Sequence, residues 1–359
     1  MYNSQFYKQL NFKMMNKTKN LFLAMSLLAI AGLWTACSND QLIETPDGKQ
    51  PISFRVQGGL PELRTTSTTL SQVDAFVVYG FERGTDGIPL ILFDGVTVAR
   101  QAGNSDVFDY YPKKFYLEDT WSATFFAYSP VSKNVQIVTA PSCSGEVTRF
   151  YYEVDAPNAS GDTAQEDLLV EYMVLGHPVP GSPPLGTNVS LAFQHVLSRV
   201  FVKATNNLSE IVIIRGLTLK NLYSKGQLGG WGDLYLWDVH SEKKDYSYIL
   251  APSGVAVEKG LATPTLVTSM EQGMMVLPQK TVNTGNPNAF DPGDFALEVT
   301  YDIANLKNQT AHVMLPNNYE FEPGKQYAIN IDFAGLVTLV EISFTITVTD
   351  FETPIIEVP

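Results

Sequence analysis

The sequence predicts an all-β chain of many antiparallel strands, which implies sandwiches or barrels. Its apolar segments are short and rich in β-branched and aromatic residues, as in VDAFVVYGF, SATFFAYSP and QYAINIDF. Most of them are bounded by glycine, proline, asparagine or aspartate, the residues that favour turns. Few stretches have helical spacing, and we find no repeat of about 20–50 residues that would indicate a solenoid or propeller.

The N-terminal segment has the pattern of an export signal. Residues 1–20 contain four lysines and no acidic residue, and residues 21–34 are apolar. This run is shorter than the about 20 residues of a membrane span and predicts a signal peptide at residues 1–36. Thr35 and Ala36 precede Cys37 as in a bacterial lipobox, although Trp34 replaces the usual aliphatic residue. We expect a lipidated Cys37, with an ordinary signal peptide as the alternative.

Cysteine count and charge restrict the partners of the exported chain. Cys37 and Cys143 are the two cysteines, so lipidation of Cys37 leaves no pair for a structural disulfide. The formal net charge is −13, and loss of the four leader lysines makes it −17. This excess argues against nucleic acid or anionic lipid as a partner. The membrane contact predicted here is the lipid anchor.

A proline- and glycine-rich stretch predicts the division of the mature chain. Residues 176–186, GHPVPGSPPLG, contain four prolines and three glycines. We expect an N-terminal β-sandwich domain at residues 65–180 and a C-terminal one at residues 181–359. Residues 37–64 form a leader with the first strand, residues 51–58.

Two strands at opposite ends of the chain are near-copies. Alternation puts one set of side chains on a single face of each strand. In PISFRVQGG the apolar set is Ile52, Phe54 and Val56; in LVEISFTITVTDF it is Val340, Ile342, Phe344, Ile346 and Val348. Because the two strands share one apolar pattern, either could fill the same groove of a sandwich. This favours an exchange in which one strand replaces the other.

Motifs for catalysis and metal binding are absent from the sequence, so we predict no catalytic residue, no metal site and no cofactor. Carboxylates cluster in two stretches, for which solvated acidic loops are expected over a calcium site or a glycosidase pair. They are Asp162, Glu166 and Asp167, and Asp291 and Asp294.

A glycine-rich stretch and a pair of tryptophans could each be structural or could bind a ligand. The glycine-rich stretch at residues 226–232 predicts a hairpin loop and not a phosphate loop. Trp231 and Trp237 flank a short segment and are candidates for a sugar-stacking platform, although tryptophan more often packs at sheet edges.

Five segments in order give a resemblance to a known family. They are YYPKKFYLEDTWSATFFAYSP, NVSLAFQHVLSRVFVKA, MVLPQ, NNYEFEPGKQYAINIDF and ISFTITVTDFE. Together they resemble the fimbrillin-like family of Bacteroidales lipoprotein pilins over nearly the whole mature chain. Phe351 stands where many relatives have tryptophan. The resemblance implies two tandem transthyretin-like antiparallel sandwiches, outer-membrane export, surface fimbriae and a structural role for His195.

The same resemblance implies a mode of assembly. A trypsin-like, arginine-specific protease cuts such subunits after the first strand, and a C-terminal strand of a neighbouring subunit replaces the lost one. Arg64, in GGLPELRTTST, is the one basic residue between Gln57 and Arg83, so we expect cleavage between Arg64 and Thr65. The donor is the strand at residues 340–348 or the tail at residues 353–359, and the sequence does not choose between them.

The predicted function is therefore that of an adhesive fimbrial subunit, with other fimbrial subunits as partners. The alternative is an outer-membrane-anchored glycan-binding lipoprotein, since the fold alone does not decide function. The role as stalk, tip or anchor stays open.

Overall fold

The computed structural model describes most of the chain beyond the leader. The described residues are 49–56, 73–84, 86–101, 107–139, 149–157, 165–176, 185–231, 234–239, 243–260, 263–268, 273–283, 290–336 and 339–350. They form strands and no helix, so the all-β prediction is confirmed. Within these ranges no helix has the length and apolarity that crossing a membrane requires.

The described residues before residue 196 form ten strands. They are β1 (Ser53–Val56), β2 (Ala75–Arg83), β3 (Pro89–Arg100), β4 (Phe108–Asp109), β5 (Ser122–Ser129), β6 (Val135–Thr139), β7 (Arg149–Glu153), β8 (Leu169–Gly176), β9 (Asn188–Leu191) and β10 (Gln194–His195).

The rest of the described chain forms longer strands joined mostly by short turns. They are β11 (Ser198–Asn206), β12 (Val212–Tyr223), β13 (Lys225–Trp231), β14 (Leu234–Val239), β15 (Lys243–Tyr248), β16 (Val255–Val257), β17 (Thr265–Leu266), β18 (Met274–Val276), β19 (Gln279–Lys280), β20 (Ala296–Ile303), β21 (Leu306–Met314), β22 (Glu320–Phe321), β23 (Lys325–Leu336) and β24 (Leu339–Asp350).

The strands assemble into one large sheet and several smaller ones. The eight-stranded sheet has the order β10-β8-β5-β2-β3-β4-β1-β9, and a four-stranded sheet has the order β14-β13-β7-β6. Two further sheets run β17-β11-β23-β24, with β18 beside β11, and β15-β12-β20-β21, with β16 beside β12; β19 pairs with β22. Paired strands are antiparallel except β1 with β9 and β11 with β23.

Apolar side chains form two cores. The smaller core contains one buried phenylalanine from each of β1 to β5, together with Val189 and Leu191 of β9; these are Phe54, Phe76, Phe93, Phe108 and Phe125. The larger core spans residues from Val77 to Phe333 and includes alternate residues of β11, β12, β20 and β23. Because alternate side chains of β2 and β5 point to opposite faces, the eight-stranded sheet contributes to both cores.

The stretch predicted as a linker lies between β8 and β9, and residues 177–184 are outside the described residues. β9 and β10 follow this stretch in the chain but belong to the eight-stranded sheet. The division into two tandem domains stays a prediction.

Residues 226–231 of the glycine-rich stretch form a strand where a hairpin loop was expected, and residue 232 lies outside the described residues. Gly226 to Trp231 lie in β13 and pair with β14. A Cβ atom at Gly226 would lie 3.1 Å from the Trp237 ring and 3.3 Å from the Asp238 carbonyl oxygen. Gly226 therefore permits a close approach of β13 to its neighbours, a role of strand glycines that alternation of apolar residues does not reveal.

Candidate functional site

The first described strand of the chain lies inside the eight-stranded sheet. β1 pairs in parallel with β9 at four positions and in antiparallel with β4. The amide of Ile52 donates to the Lys114 carbonyl oxygen at 2.9 Å, and the amide of Ser53 donates to the Thr187 carbonyl oxygen at 2.8 Å. The backbone of this segment is thus bonded on both sides to residues far away in sequence.

Phe54 fills an aromatic pocket under β1. Its ring lies 5.3–5.9 Å, centroid to centroid, from the rings of Phe76, Phe93, Tyr110 and Phe125, all at steep interplanar angles. Only 1 % of Phe54 is exposed. Edge-to-face aromatic contacts contribute beyond the area that they bury. Without β1 the smaller core would lose its central ring.

The remaining side chains of β1 follow the predicted alternation. Ile52 is buried, Val56 is half-buried against the smaller core, and Arg55 on the other face is exposed. The Ser53 hydroxyl lies 2.6 Å from the Asn188 side-chain oxygen on β9. The apolar face of β1 therefore occupies a defined slot, which we call the β1 slot: the space between β4 and β9 over the Phe54 pocket.

Tyr110 closes one wall of the β1 slot. Its hydroxyl donates to the Ile52 carbonyl oxygen at 2.7 Å. Burial raises the pKa of Tyr110 to about 12. The hydroxyl is consequently a neutral donor at physiological pH and gives the first strand a side-chain hydrogen bond besides its sheet partners.

The predicted cleavage and lipidation residues lie outside the described residues. These are Cys37, Arg64 and Thr65, and residues 57–72 separate β1 from Val73. Their assignment stays a prediction.

The last described strand is at an edge of its sheet. β24 pairs with β23 over twelve consecutive positions, from Leu336↔Leu339 to Lys325↔Asp350, and within the described residues it has no second neighbour in the sheet. Four side chains of its apolar stripe are half-buried against the larger core, namely Val340, Ile342, Phe344 and Ile346. Val348 is 45 % exposed. The apolar face of β24 is thus less completely covered than that of β1.

The alternative donor, the tail at residues 353–359, is outside the described residues. β24 itself is a resident strand of its own sheet in this structure. Which of the two segments is donated stays a prediction.

Comparison with known proteins defines the family. A fimbrillin-like family profile matches residues 64–350, which is most of the chain. The chain belongs to the fimbrillin-like family. Among proteins with curated functions, none matches the sequence.

Solved structures of low identity share this fimbrillin-like fold. A fimbrial protein from Bacteroides vulgatus has a TM-score of 0.60 at 16 % identity, covering 84 % of this chain and 99 % of its own. A candidate cell adhesion protein from Bacteroides ovatus has a TM-score of 0.50 at 13 % identity, covering 85 % of this chain and 98 % of its own. At such identities the likeness shows the fold alone.

Two acidic residues expected in solvated loops of this fimbrillin-like chain are buried. Asp167 is 7 % exposed and its carboxylate lies 2.9 Å from Nδ1 of His195 on β10. Asp294 is fully buried, and its carboxylate accepts the Asp291 amide at 3.1 Å within the loop. The solvated-loop prediction was therefore wrong for Asp167, whose partner His195 is distant in sequence, and for Asp294, whose carboxylate is buried and bonded within its own loop.

Other candidate residues are not brought together. In the described part of the chain, no group of three or more histidine, cysteine, aspartate or glutamate side chains could hold a metal ion. Trp237 is half-buried, and its indole N–H donates to the Val196 carbonyl oxygen at 2.7 Å. The Trp231 side chain lies outside the described residues. Trp237 therefore has a packing role, and the platform that pairs it with Trp231 stays a prediction.

Proposed function

We propose that this protein is a structural, non-enzymatic subunit of cell-surface fimbriae that contributes to adhesion. Membership of the fimbrillin-like family over residues 64–350 supports this role. The shared fold with a fimbrial protein from Bacteroides vulgatus is consistent with it. Other fimbrial subunits are the partners.

The observation that carries a mode of assembly is the β1 slot. A strand with two fully buried apolar residues, Ile52 and Phe54, precedes a long connection to the rest of its sheet. Full burial of a large apolar side chain contributes about 1.5–3 kcal/mol, so an empty β1 slot would strongly favour a replacement strand. The exposed edges of β4 and β9 would accept that strand by backbone pairing.

Proteolysis explains why the slot is filled in the unassembled subunit and open in the assembling one. We propose cleavage between Arg64 and Thr65 by an arginine-specific protease. Before the cut, the covalent connection holds β1 at an effective concentration of about millimolar, so it outcompetes an incoming strand. After the cut, residues up to Arg64 leave together with the lipid at Cys37. The same lipid places the uncut protein in the outer membrane.

Two donor segments fit the vacated slot. The β24 stripe repeats the Ile-Ser-Phe of β1 at residues 342–344. Moving its half-buried side chains into full burial would gain roughly 1 kcal/mol each, but β23 would lose its partner. Donation of the tail at residues 353–359 would keep β24 in its sheet. We retain both donors, and the Discussion gives the variants that separate them.

A ladder assay tests the assembly proposal. The purified precursor is trimmed with an arginine-specific protease and run on unheated denaturing gels, beside an Arg64→Ala variant. We expect a ladder of oligomers from the wild-type protein alone. Ladders without proteolysis, or equal ladders from Arg64→Ala, would contradict cleavage-triggered exchange.

A further inference from the structure

The open end of the β23–β24 hairpin is where β24 can begin to separate. Residues 337–338 connect the two strands at the closed end, next to the Leu336↔Leu339 pair. The Lys325↔Asp350 pair lies at the opposite end. Opening of an edge strand starts at the end that no turn joins to its neighbour, since local opening there breaks the fewest contacts. Contacts to Asp350 should therefore affect the separation of β24 from β23 more than contacts elsewhere along the strand do.

Two side chains of β23 hold Asp350. Lys325 Nζ lies 2.5 Å from the Asp350 carboxylate, and the side-chain amide of Gln326 donates to the Asp350 carbonyl oxygen at 2.8 Å. The Asp350 side chain is 70 % exposed, whereas Gln326 is 2 % exposed. Exposed ion pairs contribute little because water and salt screen them. The shielded contact from Gln326 is the stronger restraint.

Arg199 of β11 fixes the orientation of that amide. Arg199 Nη2 donates to the Gln326 side-chain oxygen at 2.6 Å, which directs the amide nitrogen of Gln326 to Asp350. Burial lowers the pKa of Arg199 to about 10, and the negative charge of Asp167 opposes this shift. Arg199 is thus charged at neutral pH, and a charged donor forms the stronger kind of hydrogen bond.

A buried side-chain pair, Asp167 and His195, lies near enough to Arg199 for the charge of Asp167 to act on it. The side chains of Asp167 and His195, 2.9 Å apart, are 4 % and 6 % exposed. Asp167 immediately precedes β8 and His195 belongs to β10, so both come from the edge of the eight-stranded sheet. Removal of Asp167 would leave the buried Arg199 charge without this compensation, which is costly. We call these four residues, Asp167, His195, Arg199 and Gln326, the buried polar cluster.

We propose that the buried polar cluster is a latch: Gln326, oriented by Arg199, fastens the Asp350 end of β24 to β23 and controls how readily that strand opens. The latch connects the Asp350 end of β24 to residues at the edge of the eight-stranded sheet. Its relevance to assembly rests on the function proposed above, in which either β24 or the tail that follows it enters a neighbouring subunit.

Amide hydrogen exchange of the uncut monomer tests the latch through three variants. Gln326→Glu keeps an acceptor for Arg199 but has no N–H to donate to Asp350. Gln326→Met removes both contacts. Gln309→Met is the matched control, because the Gln309 amide on edge strand β21 donates to the Lys307 carbonyl oxygen of its own strand.

We expect peptides covering residues 345–350 to exchange about fivefold faster in Gln326→Glu, the change produced by loss of one hydrogen bond, and faster still in Gln326→Met. Peptides from β20 and the Gln309→Met protein should match wild type. Unchanged exchange at residues 345–350 in both Gln326 variants, or an equal increase in all sheets, would overturn the latch. The measurement needs no polymerisation, so failure of the ladder assay would contradict the proposed assembly and leave this result standing.

Discussion

The hydroxyl of Tyr110 donates a 2.7 Å hydrogen bond to the carbonyl oxygen of Ile52. This contact joins the loop after β4 to the segment that enters β1, and the Tyr110 ring also packs 5.7 Å from that of Phe54. A single residue thus holds the first strand through both its backbone and its core side chain. Changes at Tyr110 and Phe54 should affect how firmly the β1 slot keeps its strand.

Truncation of Phe54 should destabilise the uncut protein by about 3–5 kcal/mol, the usual cost of replacing a buried phenylalanine by alanine. Four aromatic rings lose their central partner in Phe54→Ala. Arg55→Ala, on the exposed face of the same strand, should change stability by less than about 0.5 kcal/mol. Urea unfolding of both variants measures the difference, and equal effects would contradict a filled β1 slot.

Alkaline pH should weaken the folded protein. The pKa of Tyr110 is about 12 in the folded state and about 10 in an unfolded chain. The folded state therefore holds this proton more tightly, so its contribution is complete below about pH 10 and is lost as the pH rises through about 12. Tyr128 and Tyr327, whose pKa values burial also raises to about 12, add to the same window.

Urea unfolding between about pH 9 and about pH 12 checks this dependence. Tyr110→Phe should lose less of its free energy of unfolding than wild type as the pH rises. Tyr111→Phe, which changes the exposed neighbouring tyrosine, should follow wild type. A Tyr110→Phe profile identical to wild type would show that the Tyr110 proton is not linked to folding.

Residues with local partners could be predicted from the sequence, and residues with distant partners could not. Alternation correctly placed Phe54 on the core face and Arg55 on the exposed face, because the side-chain period of a strand is local. The parallel pairing of β1 with β9 joins positions more than 130 residues apart, as in Ser53↔Asn188. No local pattern contains that information.

The buried polar cluster was missed for the same reason. Asp167 sits in an acidic stretch whose composition is typical of a solvated loop, and its partner His195 comes from another strand. An isolated arginine within the apolar stretch SRVFVKA, Arg199, was the available signal, because buried arginines require a carboxylate or amide partner.

The choice of donor is decided by two further variants. Phe344→Asp places a charge on the half-buried face of β24. Because β24 is resident in the monomer, this variant should lower monomer stability whichever segment is donated. If β24 is donated, oligomers should be lost under conditions in which the trimmed variant is still folded; if the tail is donated, they should persist. A chain ending at Phe351 removes the tail and keeps β24.

Both variants and the wild-type protein are compared in two measurements: oligomer ladders on unheated gels, and urea unfolding of the monomers. Loss of ladders on truncation alone assigns donation to the tail at residues 353–359. Ladders that persist in both variants would exclude C-terminal donation altogether.

Replacement of the predicted lipidated residue, Cys37, should move the protein out of the membrane fraction and leave its fold unchanged. Cys37→Ala should abolish fatty-acid labelling and release the protein from the membrane fraction, because acyl chains and not the acidic protein surface provide the attachment. Cys143→Ala is the matched control and should label as wild type. Unchanged labelling of Cys37→Ala would contradict the lipobox assignment.

N-terminal sequencing of the subunit isolated from surface polymers tests the central claim most directly. The claim is that assembled subunits have lost β1 and received a replacement strand. The account predicts a chain that begins at Thr65, with no acylated residue. A chain in the polymer that begins at acylated Cys37 and still contains Ile52 and Phe54 would contradict it.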